Sequence, residues 1–218
     1  MVRASFDQQL VELKKKLVRM GEHAQIALTN AFKALETQDM ALADQVIKED
    51  VVINRLEDEL DEFIINMIAS QQPVAGDLRK IMATYKVITS LERIGDFAVD
   101  LSKSTKRIGR EPLLKPLQDL PLMFDIVRKM IQAGLEAYME ENVQLAEDMA
   151  KMDDHVDDIY DTIMQDLFKK IIDLPEKVEQ AIQLAYVTRF LERAADHATN
   201  MAEAVYYITE GKRVDLNR

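Results

Sequence analysis

Leu91-Glu92-Arg93-Ile94-Gly95-Asp96 returns as Leu191-Glu192-Arg193-Ala194-Ala195-Asp196, one hundred residues further on. On a helix, residues four apart are neighbours on one face. Glu92 with Asp96, and Glu192 with Asp196, therefore pair two carboxylates at the same place in each copy. Asp100 extends the first stripe, and Asn200 stands at that place in the second. A like-charged pair at this spacing costs a helix about 0.2–0.5 kcal/mol, so a patch of them needs an arginine, solvent or a cation to offset it. Oxygen donors without cysteine suit hard cations: iron, manganese, magnesium or calcium. The competing reading is a solvated face, because these acids lie roughly opposite the apolar seam of their helices. A lone pair of this kind means little in a chain with 39 acidic residues; its recurrence at one position is the stronger signal.

The elements that must position these groups also repeat. Leu10, Leu13, Leu17, Met20, Ala24, Ala27, Ala31 and Ala34 recur at spacings of three and four, the seam of a packed helix. Ser5, with Gln8 three residues on, reads as its N-cap. After the polar break at Thr37-Gln38-Asp39, Asp39 caps a second helix with Leu42, Val46, Ile53, Leu56, Leu60, Phe63 and Met67 on its stripe. Gln71 to Gly76 interrupts the pattern, and a third helix carries Val87, Leu91, Ile94, Ala98, Leu101, Thr105 and Ile108. Gly109 to Pro121 holds three of the five prolines and reads as a linker. Beyond it, the first two helices recur at an offset of 103 and the third at an offset of 100. Asp173 and Glu176 box the start of the sixth helix, with Pro175 in its first turn, and Gly211 stops it.

The expected fold is all-α: two tandem three-helix bundles of long antiparallel helices, residues 1–110 and 123–218, joined by a linker at 111–122. The pattern leaves open whether the bundles lie end to end or merge. Twelve methionines and no tryptophan suit a gap-filled helical core. Folding the second and third helices as a hairpin brings Asp50 level with residue 95 and Asn54 level with residue 91. The same operation brings Asp153 and Asp157 level with Glu192 and Asp196. The candidate metal ligands are thus Glu92, Asp96, Asp100, Asp50 and Asn54 in the first unit, and Glu192, Asp196, Asp153 and Asp157 in the second. His23 and His155 read as structural or exposed, and His197 as an outer neighbour of the second site at most.

Composition narrows the function classes. Twenty-eight basic against 39 acidic residues leave a net charge of -11, which disfavours nucleic acid and favours cations or basic protein surfaces. Without cysteine there is no disulfide, thiolate zinc site or cysteine nucleophile. No apolar run is long enough to span a membrane, and the N-terminus carries no signal core, so a cytoplasmic location is expected. No Glu-x-x-His motif accompanies the histidines, which excludes a di-iron oxidase of the bundle type. A metal-dependent hydrolase of phosphorylated small molecules stays as the alternative to a binding protein. It is disfavoured because no Gly-rich phosphate loop exists and no Lys or Arg clamps both carboxylate pairs. Purely structural packing with a charged exterior is the remaining reading.

The tandem Leu-Glu-Arg-Ile-Gly-Asp and Leu-Glu-Arg-Ala-Ala-Asp segments, with Gln71-Gln72-Pro73-Val74-Ala75-Gly76-Asp77-Leu78-Arg79 before the first, resemble the PhoU family from about Phe6 to Ile208. The resemblance implies a negative regulator of the phosphate-starvation response and of phosphate uptake. It would act as an adaptor between a phosphate ABC transporter ATPase and a sensor histidine kinase, peripheral at the inner face of the membrane through those partners, and not as an enzyme. Carboxylate motifs hold metal clusters in some members, and here they fall on Glu92, Asp96, Glu192 and Asp196. Asn200 departs from the extended motif, and Asp173-Leu174-Pro175-Glu176 replaces the Gln-Pro loop in the second unit. Self-association, most simply as a dimer, is expected of a long bundle with a side to bury.

Overall fold

The computed structural model describes residues 2–114 and 119–217, with side chains from Phe6 onward. Six α-helices follow in order: α1 (Val2–Thr37), α2 (Met40–Gln71), α3 (Gly76–Ile108), α4 (Asp119–Glu140), α5 (Val143–Asp173) and α6 (Val178–Thr209). The expected seams form the core. Leu13, Leu17, Met20, Ala24, Ala31 and Ala34 of α1 are fully buried, as are Val87, Leu91, Ile94 and Ala98 of α3 and Val187, Leu191, Ala194 and Ala198 of α6.

Helix ends follow local chemistry. The Asp39 carboxylate accepts hydrogen bonds from Ala41 N and Leu42 N at 3.0 Å and caps α2, as its sequence suggests. Asn142 caps α5 in the repeat-equivalent place, accepting from Leu145 N at 3.1 Å. Two expected caps differ. Helix α1 already begins at Val2, ahead of Ser5, whose side chain lies outside the described residues. Asp173 is the last residue of α5 rather than the cap of α6. The chain turns at Leu174, Pro175 opens a single 3-10 turn through Lys177, and no side chain caps it or α6. Backbone hydrogen bonding carries α5 through Asp173, with Leu174 N donating to the Lys170 carbonyl at 2.8 Å.

The two units merge side by side. Within each, the three helices pack on one another, and the units meet through α3 against α6 and α1 against α4. Helices α2, α3, α6 and α5 thus form one layer, with α1 and α4 laid over one face of it. Arg79 lies beside Gly211, Phe97 beside Phe190 and His197, and Arg107 beside Ile182, so α3 and α6 run antiparallel. An antiparallel central pair built from a repeated unit relates the two halves by a pseudo-twofold axis. One continuous hydrophobic core runs through both.

Close approach sets the second layer. A Cβ on Gly134 of α4 would lie 2.7 Å from Met201 Cε and 3.5 Å from the Ala198 carbonyl oxygen of α6. A Cβ on Gly21 of α1 would lie 2.5 Å from Leu135 Cδ1 of α4. Phe32 and Phe124 stack at 4.1 Å across the same seam. At one end, Glu141 receives Lys14 and Lys80 at 3.1 Å each, tying the α4–α5 turn to α1 and α3. Its repeat-equivalent, Gln38, instead donates to the carbonyls of Gly109 and Glu111 at the other end. Among the described residues, no helix is long and apolar enough to cross a membrane.

Candidate metal centres

Gly95 lets α2 approach α3. A Cβ there would stand 2.9 Å from Ile53 Cδ1 and 3.7 Å from Asp50 Oδ1, which places Asp50 level with residue 95 as the hairpin register requires. Asp50 accepts from Asn54 Nδ2 at 3.1 Å and faces the charges of Asp96 and Asp100. Burial, followed by the Asp96 and Glu57 charges, pushes the Glu92 carboxyl up to about 7. Burial also raises Asp50, Glu57 and Asp61, with neighbouring carboxylates adding to each. The long side chain of Arg93 curls back to the pair, with Nε 3.6 Å from Glu92 and Nη1 3.2 Å from Asp96. Asp100 pairs with Lys103 at 2.9 Å.

In the second unit Asp153 is only 7% exposed. No hydrogen bond or ion pair reaches it among the described residues. Burial, then Asp157 and Asp196, pushes its carboxyl up to about 7. Glu192 is pushed to the same value, about 7, by burial and then Asp196. Its Oε1 receives Arg189 Nη1 at 2.9 Å, while its Oε2 is buried without a partner. Asp196 and the exposed Asp157 are raised too, by burial first and then by Asp157 and Asp154 respectively. Asp50 faces Asp96 and Asp100 across α2–α3, and Asp153 faces Asp196 and Glu192 across α5–α6, while Asn54 and Asp157 are exposed.

Three participants escaped the sequence reading. Glu57 and Asp61 continue the Asp50–Asn54 stripe at spacings of three and four, a signal that was there to follow. Arg189 has Thr89 as its repeat-equivalent, so repetition could not flag it. The centres also differ: Tyr160 occupies the place of Glu57, and Arg189 lies over its ring at 6.0 Å. His197 belongs to packing. Its ring tilts 5.7 Å from Phe97, and burial followed by Arg193 and Arg93 holds it neutral, with its pKa down at about 4.

The donor set is oxygen-rich and short of positive charge, and it includes a buried carboxylate and a buried orphan oxygen. That chemistry fits a hard cation. Among the described residues, no three carboxylates or imidazoles converge closely enough to hold one ion as they stand. The side chains of Glu92 and Glu192 are turned to Arg93 and Arg189 instead.

The PhoU domain model matches residues 17–105 and 120–205, one stretch over each three-helix unit. The chain belongs to the PhoU family. A PhoU homolog described as a phosphate-specific transport system accessory protein, from Clostridium acetobutylicum, is 39% identical over 218 residues, the whole of both chains. The Aquifex aeolicus PhoU homolog of the same description is 37% identical over 206 residues, 94% of this chain and 93% of the relative. PhoU from Pseudomonas aeruginosa superposes with a TM-score of 0.91 at 31% identity, covering 95% of this chain and 100% of that one. The phosphate transport system regulatory protein PhoU from Streptococcus pneumoniae gives 0.90 at 25% identity, covering 96% and 99%. The merged six-helix arrangement is therefore the PhoU fold.

Proposed function

We propose that this chain is a negative regulator of the phosphate-starvation response and of phosphate uptake. It acts by binding rather than by turnover, as an adaptor between the ATPase of a phosphate ABC transporter and a sensor histidine kinase, on the cytoplasmic side of the membrane. The observation that carries the reading is a pair of carboxylate clusters at repeat-equivalent places, each held by an arginine, in a chain aligned end to end with a phosphate transport accessory protein.

A hard cation at each cluster would supply the positive charge that Glu92, Asp96, Asp50 and Glu57, or Glu192, Asp196, Asp153 and Asp157, leave unbalanced. Asn54 orients Asp50 by its hydrogen bond. Arg93 and Arg189 hold the carboxylates, and a bound cation would take over that neutralisation and stiffen the α2–α3 and α5–α6 hairpins whose surface partners would read. Asp100, held by Lys103, adds charge at the edge of the first centre. Deleting the gene should make phosphate-responsive transcription constitutive. A response that still follows external phosphate after deletion would remove the regulator reading.

A further inference from the structure

We infer that the uncovered face of the α3–α6 pair is the docking surface for a protein that presents a basic-rimmed, apolar-centred patch twice about a twofold axis. The inference rests on the adaptor reading above and gives that adaptor its contact surface.

Helices α3 and α6 are the centre of the molecule, yet they leave five large apolar side chains in solvent. Leu78, Met82 and Tyr85 follow at spacings of four and three along α3, and Ile182 and Tyr186 lie four apart along α6. Their exposures run from 38% to 49%. The α3 stripe continues through Thr89 to Arg93 and Asp96, and the α6 stripe to Phe190, Arg193 and His197. The opposite faces of both helices are buried, and α1 and α4 cover that side only. Single exposed apolar residues are ordinary on a protein surface, but aligned runs on adjacent helices mark interaction sites. Tyrosine, methionine and arginine are the types enriched at protein interfaces.

The face carries the pseudo-twofold. Met82 and Ile182 are repeat-equivalents, as are Arg93 and Arg193. Ile182 lies beside Arg107, where a cleft of about 360 Å³ opens with Glu179 and Gln183. Met82 is 25 residues from Arg107 along α3, so the two apolar ends stand roughly 40 Å apart at 1.5 Å per residue. Between them runs a ladder: Tyr186 and Phe190 stack at 6.3 Å, Phe190 and Phe97 at 6.3 Å, and Arg193 lies 5.1 Å over Phe97. A partner with a twofold axis meets Met82 and Ile182 with the same surface, while Leu78, Tyr85 and Tyr186 have Val178, Ala185 and Lys86 as their repeat-equivalents.

Charge selects the partner. Beyond the candidate centres, Asp58 on α2 lies close enough to Glu57 to raise it, and Asp154, Asp158 and Asp161 on α5 do the same to Asp157, so acidic flanks border the face on both sides. Lysines and arginines on a partner's rim complement those flanks. A second copy of this chain face to face would set acidic flank on acidic flank, and an anionic bilayer meets the same repulsion.

The test titrates the purified full-length chain with the purified ATPase subunit of the phosphate transporter from the same organism, by calorimetry and light scattering. Wild type should bind one chain per two ATPase subunits, with affinity falling as salt rises. Met82→Glu with Ile182→Glu should weaken binding about tenfold or more, and Tyr85→Ser with Tyr186→Ser should do likewise. Ile26→Glu with Leu122→Glu, exposed on the α1 and α4 side, should leave affinity unchanged. Thermal melts confirm which variants fold, and the serine pair decides should the glutamate pair unfold. Binding within about twofold of wild type in a folded face variant, an equal loss in the control pair, or one ATPase subunit per chain overturns the inference while the adaptor stands. A wild-type chain that binds no ATPase subunit overturns both.

Discussion

Asp153 and Glu192 concentrate the electrostatic cost of the second centre, and Glu92 that of the first. Each is pushed to about 7, above the ordinary 3.8 for Asp153 and 4.5 for the glutamates. A carboxyl raised on folding binds its proton more tightly in the native state than in the unfolded chain. Its contribution is complete below the unfolded value and is lost as pH rises through the folded one. In chelator, the melting midpoint should therefore fall between about pH 5 and about pH 8; a midpoint that holds level or rises across that window would contradict the assignment. Asp153→Asn keeps the shape and removes the charge, so at the alkaline end it should melt above wild type in chelator while binding cations more weakly, read by calorimetry with manganese. The paired motifs were legible because repetition separated them from the other acids of the chain. The burial of Asp153 was not, because it depends on how α5 rolls against α6, which residue spacing does not encode.

At the scale of the helices, ends and close approaches decide stability. Asp39→Ala removes two hydrogen bonds from the start of α2 and should cost about 0.5–2 kcal/mol in denaturant unfolding. Gly134→Leu drives a branched side chain into Met201 and the Ala198 carbonyl, and should destabilise by about 1–3 kcal/mol as α4 is pushed off α6. Wild-type stability for either variant would mean that the contact is not made. The Asp39 cap was readable because an acid followed a polar break and preceded an apolar stripe. The Asp173–Glu176 box misled for an equally local reason: the spacing is right, but the α5 backbone hydrogen bonds run on to Leu174, and Pro175 turns the chain two residues after Asp173. Pattern reading also underweighted α3 and α6. Their extra buried faces are lined by Ser90, Ser102, Thr105, Thr188 and Thr199 as well as apolar residues. Thr105, Thr188 and Thr199 satisfy their hydroxyls on carbonyls one turn back, at 2.8–3.3 Å. Such residues look polar in sequence and sit in the core here.

Taken whole, the molecule is a duplicated trihelical unit closed on itself through α3 and α6, and its core does not divide at the linker. Unfolding should accordingly be a single transition in calorimetry, and two resolved transitions would show units that fold independently. The duplication was plain from the offsets of 103 and 100. The side-by-side closure was not, because the same seams serve an end-to-end arrangement equally well, and only the third buried side of α3 and α6 tells them apart. Self-association is read from the mass of the protein alone by light scattering, where a dimer is expected. The central claim is that the two carboxylate clusters hold cations, and metal content per chain tests it most directly. Protein equilibrated with iron, manganese, magnesium or calcium and then desalted should retain metal. Glu92→Gln with Asp96→Asn should empty the first centre and spare the second, Glu192→Gln with Asp196→Asn the reverse, and all four substitutions together should leave a folded, metal-free chain. Metal absent from the replete wild type, or retained undiminished by the folded fourfold variant, would contradict the account.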